Sequence, residues 1–218
     1  MDKKKITVII CCAGMGTRLG IGTTKALVNI NGKPLILHQL ELLDQYDDIR
    51  IVLGYQAERV ISVVTKYRND IMFAFNYDYK NTGAAASLSK ALPGAREYVV
   101  SMDGDLVVHP QNFKEFLDYN GECIAVSDCN SDEPVHIDVE NSKVVRFSKN
   151  GKYEWPGLVK IQSGRLTPHS GHTYEMLNTV LPIDVLHVQT RDIDTPDDYD
   201  RAVAWVEAGY ERTGGKNE

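Results

Sequence analysis

The feature that most constrains the fold is an alternation of short apolar runs with amphipathic segments along most of the chain. "KITVIICC", "IRIVLG" and "IMFAFN" are typical of buried strands, whereas "AERVISVVTKY" places Val60, Val63, Val64 and Tyr67 on one face of a helix. Repeated strand–helix units predict an α/β fold, a Rossmann-like three-layer sandwich whose mixed sheet is mostly parallel. In such a sheet, ligands bind beyond the carboxyl ends of the strands.

The alternation changes in the middle of the chain. "VHIDVENSKVVRFSKN" predicts two strands joined at Asn141-Ser142, and "YEWPGLVKIQ" predicts a strand that Pro156 interrupts. We therefore expect one domain over residues 1–212 that contains a small substrate lobe at about 130–165, followed by a flexible tail at 213–218.

Composition narrows the class of protein. A hydrophobic content of 43% over 218 residues supplies the core of one domain, and no window approaches 18 uninterrupted apolar residues, so we expect no membrane span. The basic start, "MDKKKITVIICCAG", fits a first strand better than a secretory signal, which favours a cytoplasmic protein. A net charge of −6 argues against nucleic-acid binding, and four cysteines without CxxC spacing indicate neither a zinc site nor a disulfide scaffold.

The loop after the first strand, "CCAGMGTRLGIGTTKAL", has the composition of a phosphate-binding loop. Gly14 and Gly16 let backbone N–H groups approach a ligand, Arg18 offers a forked donor, and Lys25 adds a mobile positive charge. The loop is not a Walker A motif, and Leu19 occupies the third glycine position of a dinucleotide fingerprint. These residues favour a nucleoside triphosphate.

Aspartates follow two later strands. "MDGD" places Asp103 and Asp105 at a predicted carboxyl end, and "RDIDTP" places Asp194 before a helix that Thr195 and Pro196 should begin. A basic loop and a remote acidic turn suit a polyanion together with a metal ion.

The stretch "CCAGMGTRLGIGTTKALVNINGKPLI" resembles the signature loop of the nucleotidyltransferases that make nucleotide-activated sugars and alcohols. Those enzymes carry G-x-G-x-R-(x)n-P-K followed by G-K-P-L-I, and the chain matches at Gly14, Gly16, Arg18, Lys25 and residues 32–36. Threonine stands at position 24, where the family usually has proline. Through "IVLGYQAE", "NTGAAASL", "EWPGLVKI" and "RDIDTPDDYDRA", the chain is most similar to small cytidylyltransferases of the phosphocholine cytidylyltransferase type. The resemblance implies their fold, that of the nucleotide-diphospho-sugar transferases.

The resemblance also implies roles for individual residues. Arg18 and Lys25 would be the catalytic cations, and Asp105 and Asp194 would bind Mg²⁺. The residues expected around the nucleotide are Ala13, Gly14, Met15, Gly16, Thr17, Gly83, Ala84 and, supporting the site from behind, Asp103. The residues expected around the acceptor, in the middle lobe, are Glu154, Trp155 and Lys160.

The implied reaction is transfer of CMP from CTP to a small phosphomonoester or phosphonate, with release of pyrophosphate. The acceptor is open among phosphocholine, an aminoalkylphosphonate, a polyol or amino-acid phosphate, and a sugar 1-phosphate. Alternatives are a sugar-1-phosphate nucleotidyltransferase using UTP, dTTP or GTP, a GT-A-type glycosyltransferase using the D-x-D of Asp103 and Asp105, and a nucleotide sensor without activity. The expected partners are CTP, or another nucleoside triphosphate, and a small phosphorylated or phosphonate acceptor, with no nucleic acid and no membrane. Dimers are common in the family, so the resemblance is compatible with a homodimer.

Overall fold

A computed structural model describes residues 2–129, 131 and 133–211. The predicted tail at 213–218 lies outside the described residues. Within the described residues, no helix combines the length and apolar content needed to cross a bilayer.

Strands and helices alternate along the chain as predicted. The strands are β1 Ile6–Cys12, β2 Asn29–Ile30, β3 Lys33–Pro34, β4 Ile49–Leu53, β5 Ile71–Phe75, β6 Tyr98–Asp103, β7 Leu106–Val108, β8 Cys123–Asp128, β9 His136–Glu140, β10 Lys143–Ser148, β11 Tyr153–Glu154, β12 Val159–Gln162, β13 Ile183–His187 and β14 Thr190–Asp192. The helices are α1 Leu35–Glu41, α2 Ala57–Tyr67, α3 Ala84–Ala91, α4 Pro110–Asp118, α5 Thr173–Asn178 and α6 Pro196–Glu207. After Glu41 the chain continues through turns closed by hydrogen bonds from the N–H of Leu43 to the carbonyl of Leu40 and from the N–H of Tyr46 to the carbonyl of Leu43.

A mixed sheet forms the middle layer, in the order β11-β9-β10-β13-β8-β12-β6-β1-β4-β5. The half that contains β1 is parallel, because β1 pairs with β4 and β6, and β4 pairs with β5, all in the same direction. Strand β12 runs antiparallel between β6 and β8, and β8 pairs in parallel with β13. The predicted α/β sandwich with a mixed sheet is confirmed, with its parallel character concentrated around β1.

Side chains on the two faces of the sheet enter two separate apolar cores, which explains why β1 is a continuous hydrophobic run. Val8 and Ile10 pack in a cluster with residues of α1, α2 and α4, whereas Ile9 packs in another with residues of α3 and α5. A third cluster holds α6 against the glycine loop and β7 through Trp205, Leu19 and Val107. The result is the predicted three-layer arrangement.

The middle segment extends the sheet at one side. Strands β9 and β10 form the predicted hairpin, with Asn141 and Ser142 at positive φ in its turn, and Pro156 separates β11 from β12. Of the predicted lobe at 130–165, β12 lies in the middle of the sheet. The other strands of this segment, β9 to β11 at 136–154, lie together at one edge of the sheet. That this part binds an acceptor stays a prediction.

Candidate active site

The glycine loop leaves the carboxyl end of β1 and turns back through two left-handed residues, Gly16 (φ 60°) and Gly20 (φ 70°). A Cβ atom at Gly16 would lie 2.9 Å from Cγ of Lys25. Glycine is therefore required at this position both for its backbone conformation and for the passage of the lysine side chain. The side chain of Lys25 thus passes close to the backbone of Gly16.

Lys25 lies at the centre of the site. Its Nζ is 2.7 Å from Oδ2 of Asp105 and also contacts Oδ1 of Asp194. Burial lowers the pKa of Lys25, but Asp105 and Asp194 outweigh it, so the pKa lies above the ordinary lysine value. Lys25 is therefore protonated at neutral pH, and three residues that are far apart in the chain meet as predicted.

Arg18 lies at the rim, with its side chain half exposed. One guanidinium nitrogen is 2.9 Å from Oδ1 of Asp194, and the other donates a 2.7 Å hydrogen bond to Oε2 of Glu133. Both predicted cations thus contact the same aspartate. Glu133 was missed by sequence reasoning, since an exposed acid in a polar loop carries no pattern.

Asp194 is held by the start of α6. Thr195 Oγ1 accepts a hydrogen bond from the backbone of Asp198, and Oδ2 of Asp198 accepts one from the backbone of Thr195 at 2.8 Å. Oδ2 of Asp198 also accepts from the backbone N–H of Asp194 at 3.3 Å. This capping box confirms the predicted helix start and orients the preceding aspartate.

Asp103 ends β6 behind the site and is supported by the loop between β11 and β12. Gly157 (φ 81°) approaches so closely that a Cβ atom would lie 2.1 Å from Oδ2 of Asp103. Burial raises the pKa of Asp103 to about 8, Asp105 adds to the increase, and Lys25 opposes it. Burial, followed by Asp105, also raises the pKa of Asp192, a neighbouring carboxyl that sequence reasoning did not single out.

Asp105 and Asp194 fit a shared cation, because both carboxylates reach the same ammonium group, Lys25 Nζ. Among the described residues there is no cluster of three or more His, Cys, Asp or Glu side chains arranged to hold a metal. Two carboxylates completed by phosphate oxygens are the usual protein contribution to a Mg²⁺ site. The donor set therefore fits the predicted ion.

A cleft of about 340 Å³ lies between the glycine loop, the ends of β1 and β6, and the first turns of α3. The predicted residues that line it are Ala13, Gly14, Gly16, Thr17, Arg18, Lys25, Ala84, Asp103 and Asp105. Asp194 joins them through its contact with Lys25. Met15 and Gly83, both predicted to bind the nucleotide, do not line it.

The N-terminus of α3 differs from the prediction. The N–H of Gly83 donates to the carbonyl of Ser170 at 2.9 Å, and the N–H of Ala85 donates to Gly171 at 3.1 Å. A Cβ atom at Gly83 would lie 2.1 Å from the Gly171 oxygen, so glycine is needed there for packing. Its amide is not available to a base, and the expected contact remains a prediction for Ala84 alone.

Ser87, one turn further along α3, lines the cleft and was missed. The N–H of Asp78 donates to Oδ1 of Asn76, which orients the buried amide so that its Nδ2 donates to Oγ of Ser87 at 3.0 Å. Because Ser87 Oγ accepts this bond, its own proton is free to point into the cleft. An isolated serine in "AAASL" gives no sequence signal for such a role.

Lys160 contradicts the prediction that it reaches an acceptor. Its side chain is fully buried, and Nζ donates to the carbonyls of Phe116 at 3.2 Å, Leu117 at 3.1 Å and Tyr119. Burial lowers the pKa of Lys160. It satisfies the last carbonyls of α4, which have no partners within the helix.

Glu154 and Trp155 also lie away from the cleft. Trp155 is buried, donates from Nε1 to the carbonyl of Leu158 at 3.1 Å and meets the ring of Phe147 edge-on. Glu154 is buried, and its Oε2 accepts a 2.6 Å hydrogen bond from Ser131 Oγ. Neither residue lines the cleft described above, so their acceptor contacts stay predictions. The sequence pattern alone did not indicate that both side chains are buried.

Two known proteins are similar to part of this chain. A region of 125 residues, 57% of this chain, is 34% identical to 28% of the bifunctional protein GlmU of Aliarcobacter butzleri. A region of 104 residues, 45% of this chain, is 38% identical to 44% of the choline-phosphate cytidylyltransferase of Streptococcus pneumoniae. The chain thus matches less than half the length of either relative.

The fold is also that of a solved enzyme. The inositol-1-phosphate CTP transferase from T. maritima superposes with a TM-score of 0.75 over 95% of this chain and 98% of that one, at 17% identity. Residues 8–149, which carry the glycine loop, Asp103 and Asp105, match the family described as the MobA-like NTP transferase domain. The chain belongs to the MobA-like NTP transferase domain family.

Proposed function

We propose that the protein transfers CMP from CTP to a small phosphomonoester or phosphonate and releases pyrophosphate, with Mg²⁺ at the site. The observation that supports it most is the meeting of Arg18 and Lys25 with Asp105 and Asp194 at the mouth of one cleft. Two cations suit the triphosphate, and two carboxylates suit its magnesium ion.

In the proposed reaction, an oxygen of the acceptor's phosphate forms a bond to the α-phosphorus of CTP. The bond from that phosphorus to the bridging oxygen breaks, and pyrophosphate leaves with its electrons. A phosphomonoester has a second pKa near ~6, so the attacking oxygen is already ionised and needs no general base. Consistent with this, the described cleft contains no histidine.

The chain's residues act by positioning and by charge. Lys25 and Arg18 stabilise the negative charge that develops on the departing pyrophosphate. Asp105 and Asp194 would hold Mg²⁺, which when bound offsets charge on the phosphate oxygens. Ala13, Gly14 and Ser87 line the same cleft. In the proposed complex, the backbone of the first two and the hydroxyl of the third would contact the base.

The choice of CTP rests on likeness to the streptococcal cytidylyltransferase, which is the more identical of the two relatives compared above. A screen of pyrophosphate release with four nucleoside triphosphates and a panel of phosphomonoesters, phosphonates and sugar 1-phosphates tests it. We expect release only with CTP and a non-sugar acceptor, and none without an acceptor.

Other outcomes of the screen, together with an assay of nucleotide-sugar consumption and a measurement of CTP binding, identify the alternatives. Release with UTP, dTTP or GTP and a sugar 1-phosphate would replace the proposal by a sugar-nucleotide synthesis. Consumption of a nucleotide sugar without pyrophosphate would indicate a glycosyltransferase. Binding of CTP without turnover on any acceptor would indicate a sensor.

A further inference from the structure

Gln56 is a conformational outlier next to the glycine loop. It precedes α2 and adopts a left-handed backbone, with φ 51° and ψ 35°, which is uncommon for a residue with a long side chain. The adjoining end of β4 is anchored to the end of β1, because Tyr55 donates from its N–H to the carbonyl of Ala13 at 3.0 Å. A strained residue in this place calls for a compensating interaction.

The side-chain amide of Gln56 provides that interaction by binding three successive loop residues. Its Nε2 donates to the carbonyl of Gly22 at 3.0 Å. Its Oε1 accepts from Oγ1 of Thr23 at 3.1 Å and from the backbone N–H of Thr24 at 3.3 Å. The carbonyl of Gly22 can only accept and the N–H of Thr24 can only donate, so the orientation of the amide is determined.

These three residues immediately precede Lys25. Thr24 is buried, with φ −65° and ψ 143°, and its carbonyl accepts from the N–H of Leu27 at 3.0 Å to begin the turn Lys25–Leu27. The peptide between Thr24 and Lys25 therefore sets the direction in which the lysine leaves the backbone. A φ of −65° is the value that a proline ring enforces, and proline has no N–H that needs an acceptor.

We infer that Gln56 is a positioning residue for Lys25. Its amide holds Thr24, by hydrogen bonds, in the conformation that a proline at this position would hold covalently. The consequence for turnover rests on the proposed function, whereas the ordering of residues 22–24 does not.

The test variant is Gln56→Gly, because glycine removes the amide and also tolerates the left-handed backbone. We expect only a small change in melting temperature, because relief of the left-handed backbone offsets part of the loss of the amide's hydrogen bonds. A displacement of about 1 Å at a reacting group costs on the order of 100-fold in rate, so we expect kcat for pyrophosphate release to fall by about 10- to 100-fold. Arg59→Ala is the matched control, since it removes the 2.8 Å hydrogen bond from Arg59 to the same amide without touching the loop.

Rescue distinguishes positioning from a general structural role. Adding Thr24→Pro to Gln56→Gly should restore kcat to within about threefold of the wild type, because proline fits a position whose native φ it already adopts. Wild-type turnover in Gln56→Gly, or failure of an active Thr24→Pro variant to rescue it, would overturn the inference. If Thr24→Pro alone does not fold, Gln56→Asn replaces it. Asparagine tolerates the left-handed backbone but is too short to bind the loop, so we expect the same loss of turnover as in Gln56→Gly. Normal turnover in Gln56→Asn would overturn the inference.

A readout without catalysis separates this inference from the proposed function. Amide hydrogen exchange in residues 22–27 should become faster in Gln56→Gly than in the wild type, and no faster in Arg59→Ala. Unchanged exchange would overturn the inference even if the enzyme proves active. Faster exchange in Gln56→Gly would support the inference even if the wild type releases no pyrophosphate with any acceptor. That second result would contradict the proposed function alone.

Discussion

At the scale of residues, the site is organised around one ammonium group. Lys25 Nζ contacts both Asp105 and Asp194, and Arg18 contacts Asp194 from the rim. Each contact pairs a cation with a carboxylate. Without the cations the two carboxylates would repel each other, and without the carboxylates the two cations would, so each pair stabilises the charges of the other. A substitution at any of them should alter function more than fold.

Lys25→Ala should slow pyrophosphate release by at least ~100-fold, the lower range for losing one preorganised electrostatic donor. The comparison is Lys33→Ala, whose exposed ion pair with Glu41 lies outside the cleft and should leave the rate unchanged. Near-normal release by the Lys25→Ala protein would refute the role of this lysine.

Asp194→Ala should weaken the binding of Mg²⁺. Turnover should then need a higher Mg²⁺ concentration to reach half its maximum. Little loss of stability is expected, because the capping box of α6 is formed by Thr195 and Asp198. Asp197→Ala, at an exposed position in the same first turn, is the control. Superimposable titration curves for wild type and Asp194→Ala would exclude Asp194 as a ligand.

At the scale of elements, buried basic side chains satisfy helix ends. Lys160 of β12 binds the final carbonyls of α4. Arg50 of β4 binds the carbonyl of Ala91, the last residue of α3, and those of Pro93 and Gly94 just after it. These groups need partners because the last carbonyls of a helix have none within it. A lysine in a strand is therefore not evidence for a ligand unless its surroundings are known.

Lys160→Met should lower the free energy of unfolding by about 1–3 kcal/mol, since it leaves buried carbonyls without donors. Turnover should be unchanged at a temperature where the variant is folded, because Lys160 lies outside the cleft. Loss of acceptor affinity without loss of stability would restore the original prediction for this lysine.

The pH dependence of stability gives a second test of Lys160. Burial lowers the pKa of Lys160 in the folded protein below its ordinary value near ~10.4, which applies to the unfolded chain. Between these two pKa values the unfolded chain binds more protons than the folded protein. This group's contribution is least favourable below the folded pKa, and stability rises with pH between the two values. The stability advantage of wild type over Lys160→Met, measured by urea denaturation, should therefore grow from pH 8 to pH 10.

At the scale of the whole molecule, the cleft joins parts of the chain that share no local structure. The glycine loop follows β1, Asp105 follows β6, and Asp194 lies between β14 and α6. A ligand that contacts all three should stabilise the entire fold. Saturation at about 100 times the dissociation constant is worth about 2.7 kcal/mol.

We therefore expect CTP with Mg²⁺ at such saturation to raise the melting temperature by about 5–10 °C, at roughly 2–4 °C per kcal/mol for a domain of this size. Lys25→Ala should abolish most of the shift at the same concentrations. An equal shift in both proteins would mean that the nucleotide binds elsewhere.

The sequence by itself determined the alternation of strands and helices, the cap of α6 and the glycine loop with its two cations. These features depend on local periodicity, on the φ of glycine and proline, and on residue chemistry, all of which are readable within a few neighbouring residues. Only the tertiary structure decided that Lys160 and Trp155 face the interior and that the N–H of Gly83 is bonded to Ser170. It also decided that Ser87 lines the cleft and that the amide of Gln56 binds Thr24. The reason is physical: which side chain meets which depends on strand order and on loop contacts between residues that are distant in sequence, and neither leaves a local pattern.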